Sequence, residues 1–449
     1  MSRPIRVVEV VPTFSEERLR TPLKFGAGVV THVTSLTVEA TIEAPTGERA
    51  TGRGNILLSD LWAFPSANLP HEVRDHAMRT LALRACALYA DLDAPAHPLD
   101  LSWQAKQALE PLTLDVAAEL SLPEAIPILA ALVSSSPVDA ALHDAYGRLC
   151  GVSSYEACGP DFVDHDLSTW LGPELAGRYV TDFVRPASRP DIAAFHLVGG
   201  LDKLTVGELS PDDPDDGLPV SLDQWIERDG LICLKVKITG TDIDRDVERT
   251  AAVAEVAWET RSRLSLDPTF FLSVDSNELH SGPEAVVEYL RKVNERSPLA
   301  YRALLYVEQP TARDLSADCF DMRPVAALKP VLADEGVTDL DKLSLARELG
   351  WSGVALKTCK GHAASLLYAA RALSWGMLLS VQDLTNPGLS LVHSAGLAAR
   401  VPTLMGFEYN ARQYLPFSQP NVQAAHPDIF TVRRGKISLD SLSPIGLGY

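Results

Sequence analysis

Six short apolar runs in the second half of the chain each end in a polar or charged group, and their spacing suits few folds. They are LICLKVK (Leu231 to Lys237), FLSVD (ending at Asp275), LLYVE (Glu308), PVLAD (Asp334), GVALK (Lys357) and LLSVQD (Asp383). The end residues lie 38, 33, 26, 23 and 26 positions apart, the length of one strand, one loop and one helix. A near-continuous apolar run fits a parallel strand buried on both faces. Parallel strands need long crossovers, usually helical. A series of such units predicts a (β/α) barrel whose strand C-terminal ends converge on one active-site face. The end groups in order are Lys, Asp, Glu, Asp, Lys, Asp, a carboxylate set between two amines. That points to a metal site flanked by proton-transfer bases, and so to an enzyme.

The chain has 449 residues, enough for a barrel of roughly 250 residues and a further domain. Strands 5–12 and 29–43 alternate and are β-branched, so they read as antiparallel. Between them Arg20 to Gly28 (RTPLKFGAG) reads as a glycine-containing loop. A hairpin turn is expected at Thr46-Gly47, followed by a second glycine pair, Gly52 and Gly54. Helical spacing follows over 71–92, 101–121 and 136–151. Strands first and helices afterwards predict an α+β domain over 1–154. Residues 155–192 read as a loop-rich insertion or linker, 193–424 as the barrel, and 425–449 as a C-terminal segment returning to the first domain. The first barrel strand is placed at 193–200 and the eighth at 402–408, ending at Glu408.

Forty basic against 59 acidic residues leave a net charge of −19. This argues against nucleic acid or an anionic membrane as partner, and it makes anion binding depend on a local cation. The six cysteines form no CxxC pair, so free thiols in a reducing, cytoplasmic compartment are expected. No run approaches the roughly 18 apolar residues of a membrane span.

Lys235 and Lys237 sit two apart at a strand end and so share a face, directed into the barrel mouth. Two neighbouring amines depress each other's pKa, which suits a lysine base. Asp275, Glu308 and Asp334 end three consecutive strands. All-oxygen ligation suits a hard ion, Mg²⁺ or Mn²⁺ in its place. Asn277 and Gln309 are candidates to support those ligands. Glu335 should point to the other side of its strand and serve substrate or loop structure. Lys357 is expected across the barrel from the lysine pair, oriented by Asp383.

LKVK, SVDSN, YVEQP, ADE and ALKTCKG, in this order and spacing, resemble the enolase superfamily in its muconate-lactonizing branch. RTPLKFG resembles that family's substrate-capping loop, which brings in Lys24 and Phe25 as substrate contacts, and VDAALHDAYGRLCG resembles the helix leading into its barrel. The resemblance implies a modified TIM-type (β/α) barrel with an N-terminal α+β capping domain. It implies Mg²⁺ on Asp275, Glu308 and Asp334, with Lys237 and Lys357 as bases on opposite faces of a small carboxylate substrate. Lys235 would lie near the substrate carboxylate, and homo-oligomers are the family habit. Removal of a proton α to the carboxylate would lead to racemisation or epimerisation, cycloisomerisation or dehydration. The seventh strand carries Asp383 and no histidine, which favours the two-lysine branch. Specificity is expected from residues 20–28, 52–55 and Glu408 to Arg412. From the residues alone, a Schiff-base lysine enzyme and a non-catalytic, metal-stabilised binding barrel stay open as alternatives.

Overall fold

The computed structural model describes residues 3–25, 28–92 and 94–449; Gly26, Ala27 and the side chain of Phe25 lie outside what it describes. An N-terminal antiparallel sheet has the order β1 (Arg6–Phe25), β2 (Gly28–Glu43), β3 (Arg49–Leu57). Gly47, at φ 83°, makes the expected turn between β2 and β3. The segment read as a loop, Arg20 to Phe25, is instead strand: β1 and β2 pair from Arg6↔Glu43 out to Phe25↔Gly28. Pro22 is tolerated within the strand. It falls in the irregular stretch between Arg18 and Leu23, where a proline costs no ladder hydrogen bond.

Gly52 and Gly54 lie inside β3, not in a loop. A Cβ on either would run into the backbone of the helix Ile128–Cys150, at Ala145 and at Pro137. These glycines therefore set how closely helix and sheet pack, away from any pocket. The helix ends at Gly151, whose φ of 70° forms a left-handed cap, as its sequence signal predicts.

The barrel is closed and eight-stranded. Its parallel strands are β4 (Asp191–Val198), β5 (Cys233–Lys237), β6 (Phe271–Asp275), β7 (Leu304–Glu308), β8 (Val331–Ala333), β9 (Gly353–Lys357), β10 (Leu378–Gln382) and β11 (Phe407–Glu408). Phe407↔Ala194 and Glu408↔Phe195 join the last strand to the first. β4 begins two residues earlier than expected and leaves Gly199 and Gly200 in the following turn. The eighth strand shrinks to two residues. Crossover helices run over Ile243–Arg263, Pro283–Arg296, Leu340–Glu348, His362–Ser374 and Gly388–Ala398, and β12 (Lys436–Ser438) adds antiparallel to β4. Among the described residues, no helix is long and apolar enough to cross a membrane.

The segment 155–192 is loop-rich, with only short helical turns, yet it is no loose linker. Tyr155, Leu167, Trp170 and Val184 are buried in the same apolar cluster as the barrel. The tail reaches the N-terminal domain: Leu447 N–H donates to Asp144 (2.9 Å) and Tyr449 Oη donates to the Arg53 carbonyl (2.6 Å).

The acidic 208–219 loop clasps the β1–β2 arm. Arg20, only 6% exposed, donates to both oxygens of Asp216 (2.6 and 2.8 Å) and to the carbonyls of Leu218 (3.0 Å) and Pro219 (3.1 Å). A bidentate guanidinium–carboxylate pair is directional and strong when shielded from water. Arg20→Ala is expected to raise the rate of limited proteolysis within 208–219 by on the order of ten-fold, the loss of a charged hydrogen-bond set. An unchanged cleavage rate would show that other contacts hold the loop.

Candidate active site

The C-terminal strand ends converge as the alternation of strand side chains requires. Lys237, Asp275 and Glu308 stand in register on β5, β6 and β7, and Asp334 follows β8 directly. Lys235 is 1% exposed at the barrel centre. Its Nζ lies 2.7 Å from Glu308 Oε1, 3.0 Å from Gln382 Oε1, 3.1 Å from Asp275 Oδ2 and 3.2 Å from Glu408 Oε2. Lys237 Nζ donates to Asp275 Oδ2 (2.5 Å) and Asn277 Oδ1 (2.8 Å). Lys357 Nζ lies 2.7 Å from Asp334 Oδ2 and 4.5 Å from the centre of the Trp62 ring. β5 and β9 are the second and sixth of eight strands, so Lys237 and Lys357 face each other across the barrel mouth, and both line one cavity.

Charge sets the protonation here. Burial pulls the Lys235 ammonium down, but Glu308, Glu408 and Asp275 around it more than offset this and hold it well above the ordinary lysine range. The expected mutual depression of the lysine pair therefore fails for Lys235, because three carboxylates outweigh one neighbouring amine. Burial likewise opposes the Lys357 ammonium, and Asp334 overrides it. Burial pushes Glu308 up to about 8, with Asp275 and Asp334 adding like charge. Burial alone would raise Asp275, but Lys237 and Lys235 hold it below the usual carboxylate range.

Other expectations need correction. Asp383 does not pair with Lys357; it receives Thr385 N–H (2.8 Å) and Asn410 Nδ2 (3.2 Å). Glu335 does not point away from the site. β8 ends at Ala333, so the alternation that would turn Glu335 outward stops there. Its Oε1 accepts from Trp62 Nε1 (2.7 Å) and Asn277 Nδ2 (3.3 Å). Lys24 lines a neighbouring cleft with Gly200, Lys237 and Arg245, not the main cavity. Gln309 stays behind the site, where its Oε1 accepts the backbone N–H of Asp334 (2.8 Å) and Gly336 (3.1 Å). Glu408 lies against Lys235 and lines the main cavity. Arg412 does not line the cavity; it pairs with Asp229 and lies over the Trp225 ring.

Several residues were missed. Trp62 covers Lys357, and Gln382 accepts from Lys235. Lys360, which the sequence offers as a weaker lysine candidate, was not missed; it donates to the Asp334 carbonyl (2.5 Å) and carboxylate (3.2 Å) and to the Val337 carbonyl (3.2 Å). The cavity has Leu19, Leu23, Val30 and Val33 of the β1–β2 arm as its lid. Alternation along that arm could have found Leu19 and Leu23; nothing in the sequence joins Trp62 to the barrel.

Six carboxyl groups (Asp275, Glu308, Asp334, Glu335, Asp383 and Glu408) meet four lysines (Lys235, Lys237, Lys357 and Lys360), so acidic oxygens outnumber the ammonium groups they face. Glu335 Oε2 is buried without a hydrogen-bond donor. Charge and donor chemistry thus suit a hard dication. Among the described residues, no three acidic, histidine or cysteine groups stand gathered around one point; lysine ammonium groups stand among the carboxylates.

Comparison with known proteins follows this geometry. The L-Ala-D/L-Glu epimerase of Bacillus subtilis aligns with 99% of this chain and 98% of its own, at TM-score 0.61 and 17% identity. A muconate lactonizing enzyme from Pseudomonas fluorescens, complexed with muconolactone, aligns over 99% and 96%, at TM-score 0.59 and 16% identity. A dipeptide epimerase from Cytophaga hutchinsonii, complexed with Mg and a dipeptide, aligns over 99% and 95%, at TM-score 0.61 and 16% identity. No family model and no curated protein sequence matches the chain. The chain thus shares its whole fold, barrel and N-terminal domain together, with these enzymes.

Proposed function

We propose that this protein is an enzyme of the enolase superfamily, in its muconate-lactonizing branch, that removes the proton α to the carboxylate of a small acid. The observation that carries the reading is the pair Lys237 and Lys357, facing each other across one cavity above three buried carboxylates on adjacent strands. The likeness in fold to epimerases and cycloisomerases supports it. Asp275, Glu308 and Asp334 would hold Mg²⁺ or Mn²⁺. When bound, the ion would supply positive charge to the substrate carboxylate and compete with the lysines for the same oxygens.

The remaining chemistry belongs to the chain. A carbon next to a carboxylate is a very weak acid, so its proton leaves only where charge on the oxygens is stabilised. Lys235, held as an ammonium, contributes a fixed positive charge at the cavity floor. Lys237 and Lys357 each turn a proton-transfer group to one face of the α-carbon, one taking the proton as an amine and the other returning one as an ammonium; Asn277 orients the first, Asp334 and Trp62 the second. The aliphatic lid excludes water from the exchanged proton. Return of the proton from the opposite face gives racemisation or epimerisation; loss of a β-substituent or ring closure gives the other outcomes.

The test is α-proton exchange in deuterated water, followed by NMR over a panel of small carboxylic acids, with Mg²⁺ and with EDTA. Exchange that depends on the metal is expected. Exchange indifferent to EDTA, or none with any ligand that binds, would sink the reading. Mg²⁺ should also raise the melting temperature, since the folded state alone gathers the carboxylates. Asp275→Asn is expected to weaken that effect at least about ten-fold in apparent affinity, the scale of an altered ligand shell; an unaltered Mg²⁺ titration would remove Asp275 from the site.

A further inference from the structure

Trp62 belongs to the N-terminal domain, in the short helix Asp60–Ala63, yet its ring and its carbonyl are tied to the barrel. Nε1–H donates to Glu335 Oε1 (2.7 Å) beyond β8, and the carbonyl accepts Arg313 Nη1 (3.2 Å) beyond β7. Glu278 in turn fixes Arg313, accepting its backbone N–H (2.8 Å), Nε (2.7 Å) and Nη2 (2.5 Å). The ring held this way lies over Lys357, whose Nζ is 4.5 Å from its centre and 2.7 Å from Asp334 Oδ2. An ammonium paired with one oxygen can swing about it. An indole face adds a second point of attraction, strongest away from water, and Trp62 and Lys357 are both buried. Glu335 Oε1 also accepts Asn277 Nδ2 (3.3 Å), and Asn277 Oδ1 accepts from Lys237 (2.8 Å). An ammonium only donates, so the amide oxygen faces Lys237 and the amide nitrogen faces Glu335. Contacts thus run from one base to the other: Lys357, the Trp62 ring, Glu335, Asn277, Lys237. Asn277 and Glu278, which serve the two arms of this chain, both have positive φ, 46° and 75°. Backbone of that kind persists where its surroundings over-determine it.

We propose that Trp62 and Glu335 are positioning residues that set the two bases as one pair, with the N-terminal domain as the part that sets them. The Trp62 ring places Lys357. Its N–H fixes Glu335 Oε1, which places Asn277 and through it Lys237. This rests on the reading that Lys237 and Lys357 exchange the α-proton. A lysine carries its amine on a flexible four-carbon stem, so strand geometry alone does not fix the distance between two amines across the barrel mouth. Both must reach one carbon, and a misplacement of about 1 Å can cost on the order of 10²-fold in rate.

The test is α-proton exchange in deuterated water, read by NMR from each enantiomer of every acid in the panel, with faces assigned by Lys237→Ala and Lys357→Ala. Trp62→Leu removes ring and N–H together. It should slow exchange on the Lys357 face at least about ten-fold and on the Lys237 face about three-fold. Trp62→Phe keeps a ring over Lys357 and removes only the N–H. It should bring the Lys357 face back to near the wild-type rate and keep the loss on the Lys237 face. A general loosening of the fold slows both faces alike, so equal losses on the two faces, or none, overturn the proposal. A Phe variant as slow as the Leu variant on the Lys357 face overturns it too. Should Trp62→Leu not fold, Trp62→Phe decides alone: a loss confined to the Lys237 face is expected, and equal effects on both faces overturn the proposal. A second measurement needs no substrate. In the metal-free protein, a double-mutant cycle of Trp62→Leu with Lys357→Met, followed by urea unfolding, should be non-additive by about ten-fold in the unfolding equilibrium constant, the scale of a shielded ammonium–indole contact. Additive losses overturn the placing of Lys357 by the ring. Absence of exchange by the wild type overturns the reaction and leaves the positioning to be decided by the cycle.

Discussion

Lys357→Ala is expected to abolish α-proton exchange on one face of the substrate, and Lys237→Ala on the other, each by about 10²–10⁴-fold, the usual worth of a positioned general base. The geometry makes the two lysines inequivalent in place and equivalent in kind. They stand on the second and sixth strands of a closed eight-stranded barrel, so a carbon held between them shows each a different face. For a racemase or epimerase both variants should lose turnover, while each retains exchange from one enantiomer. For a lyase or cycloisomerase, one variant should lose exchange and the other only part of its rate. Lys357→Arg separates charge from proton transfer. A guanidinium keeps the positive charge beside Asp334 and Trp62 but cannot be deprotonated in a protein, so this variant should bind ligand and fail to exchange. Retention of full exchange by both alanine variants would end the two-lysine mechanism and turn attention to Lys235 and Lys360. Lys235 is the poorer substitute, since a buried ammonium with four oxygen neighbours at 2.7–3.2 Å has no cheap way to release its proton.

The barrel was legible because its signal is local. Each strand is an apolar run, each run ends in a polar group at the same end of the barrel, and the recurrence of about thirty residues leaves room for one crossover helix. The positions of Lys235, Lys237, Asp275, Glu308, Asp334 and Lys357 follow from that pattern alone. What stayed hidden depends on contacts between distant segments. Trp62 meets Glu335 across 273 positions, and Arg20 meets Asp216 across 196; neither residue carries a local mark of its partner. The Asp383 error has a similar source. Adjacent strand ends suggested a pair with Lys357, but Lys357 turns the other way, to Asp334, and Asp383 is claimed by Asn410, which lies just beyond the strand it neighbours. Glu335 was assigned by extending strand alternation two residues past the end of a three-residue strand. Gly52 and Gly54 looked like part of a specificity-bearing segment, whereas they mark close approach of a helix.

The second large effect concerns the seam between the N-terminal domain and the barrel. Four histidines meet there, His97, His143, His362 and His393, each at most 3% exposed. Their rings run in a chain: His97 to His143 at 6.4 Å between centres, His143 to His362 at 4.7 Å, and His362 to His393 at 5.0 Å with a 2.9 Å Nδ1–Nε2 hydrogen bond. Burial pulls His97, His143 and His393 down to about 3 and His362 well below its ordinary value. The groups facing them are Asp139, beside His143, with Arg400 and Tyr155 near His362 and Asp164 and Tyr146 near His97. A histidine neutral when folded and free to protonate when unfolded stabilises the fold fully above its unfolded value near 6.5 and progressively less as pH falls toward 3. By pH 5 each would have lost about 2 kcal/mol. Carboxylates oppose this. Burial raises Asp139 to about 6, Glu335 to about 7 and Glu308 to about 8, and each gains stability as pH falls through its folded value. The whole-protein acid limb is therefore a difference of large opposing contributions, and the histidines must be read by substitution. His143→Gln and His393→Gln should each be less stable than the wild type at pH 7.5, because a packed ring is lost. That deficit should shrink by about 2 kcal/mol between pH 6.5 and pH 5, measured as urea midpoints at each pH. A deficit that stays constant across that range would mean that these imidazoles protonate in the folded state, and that the seam opens to water as it stands.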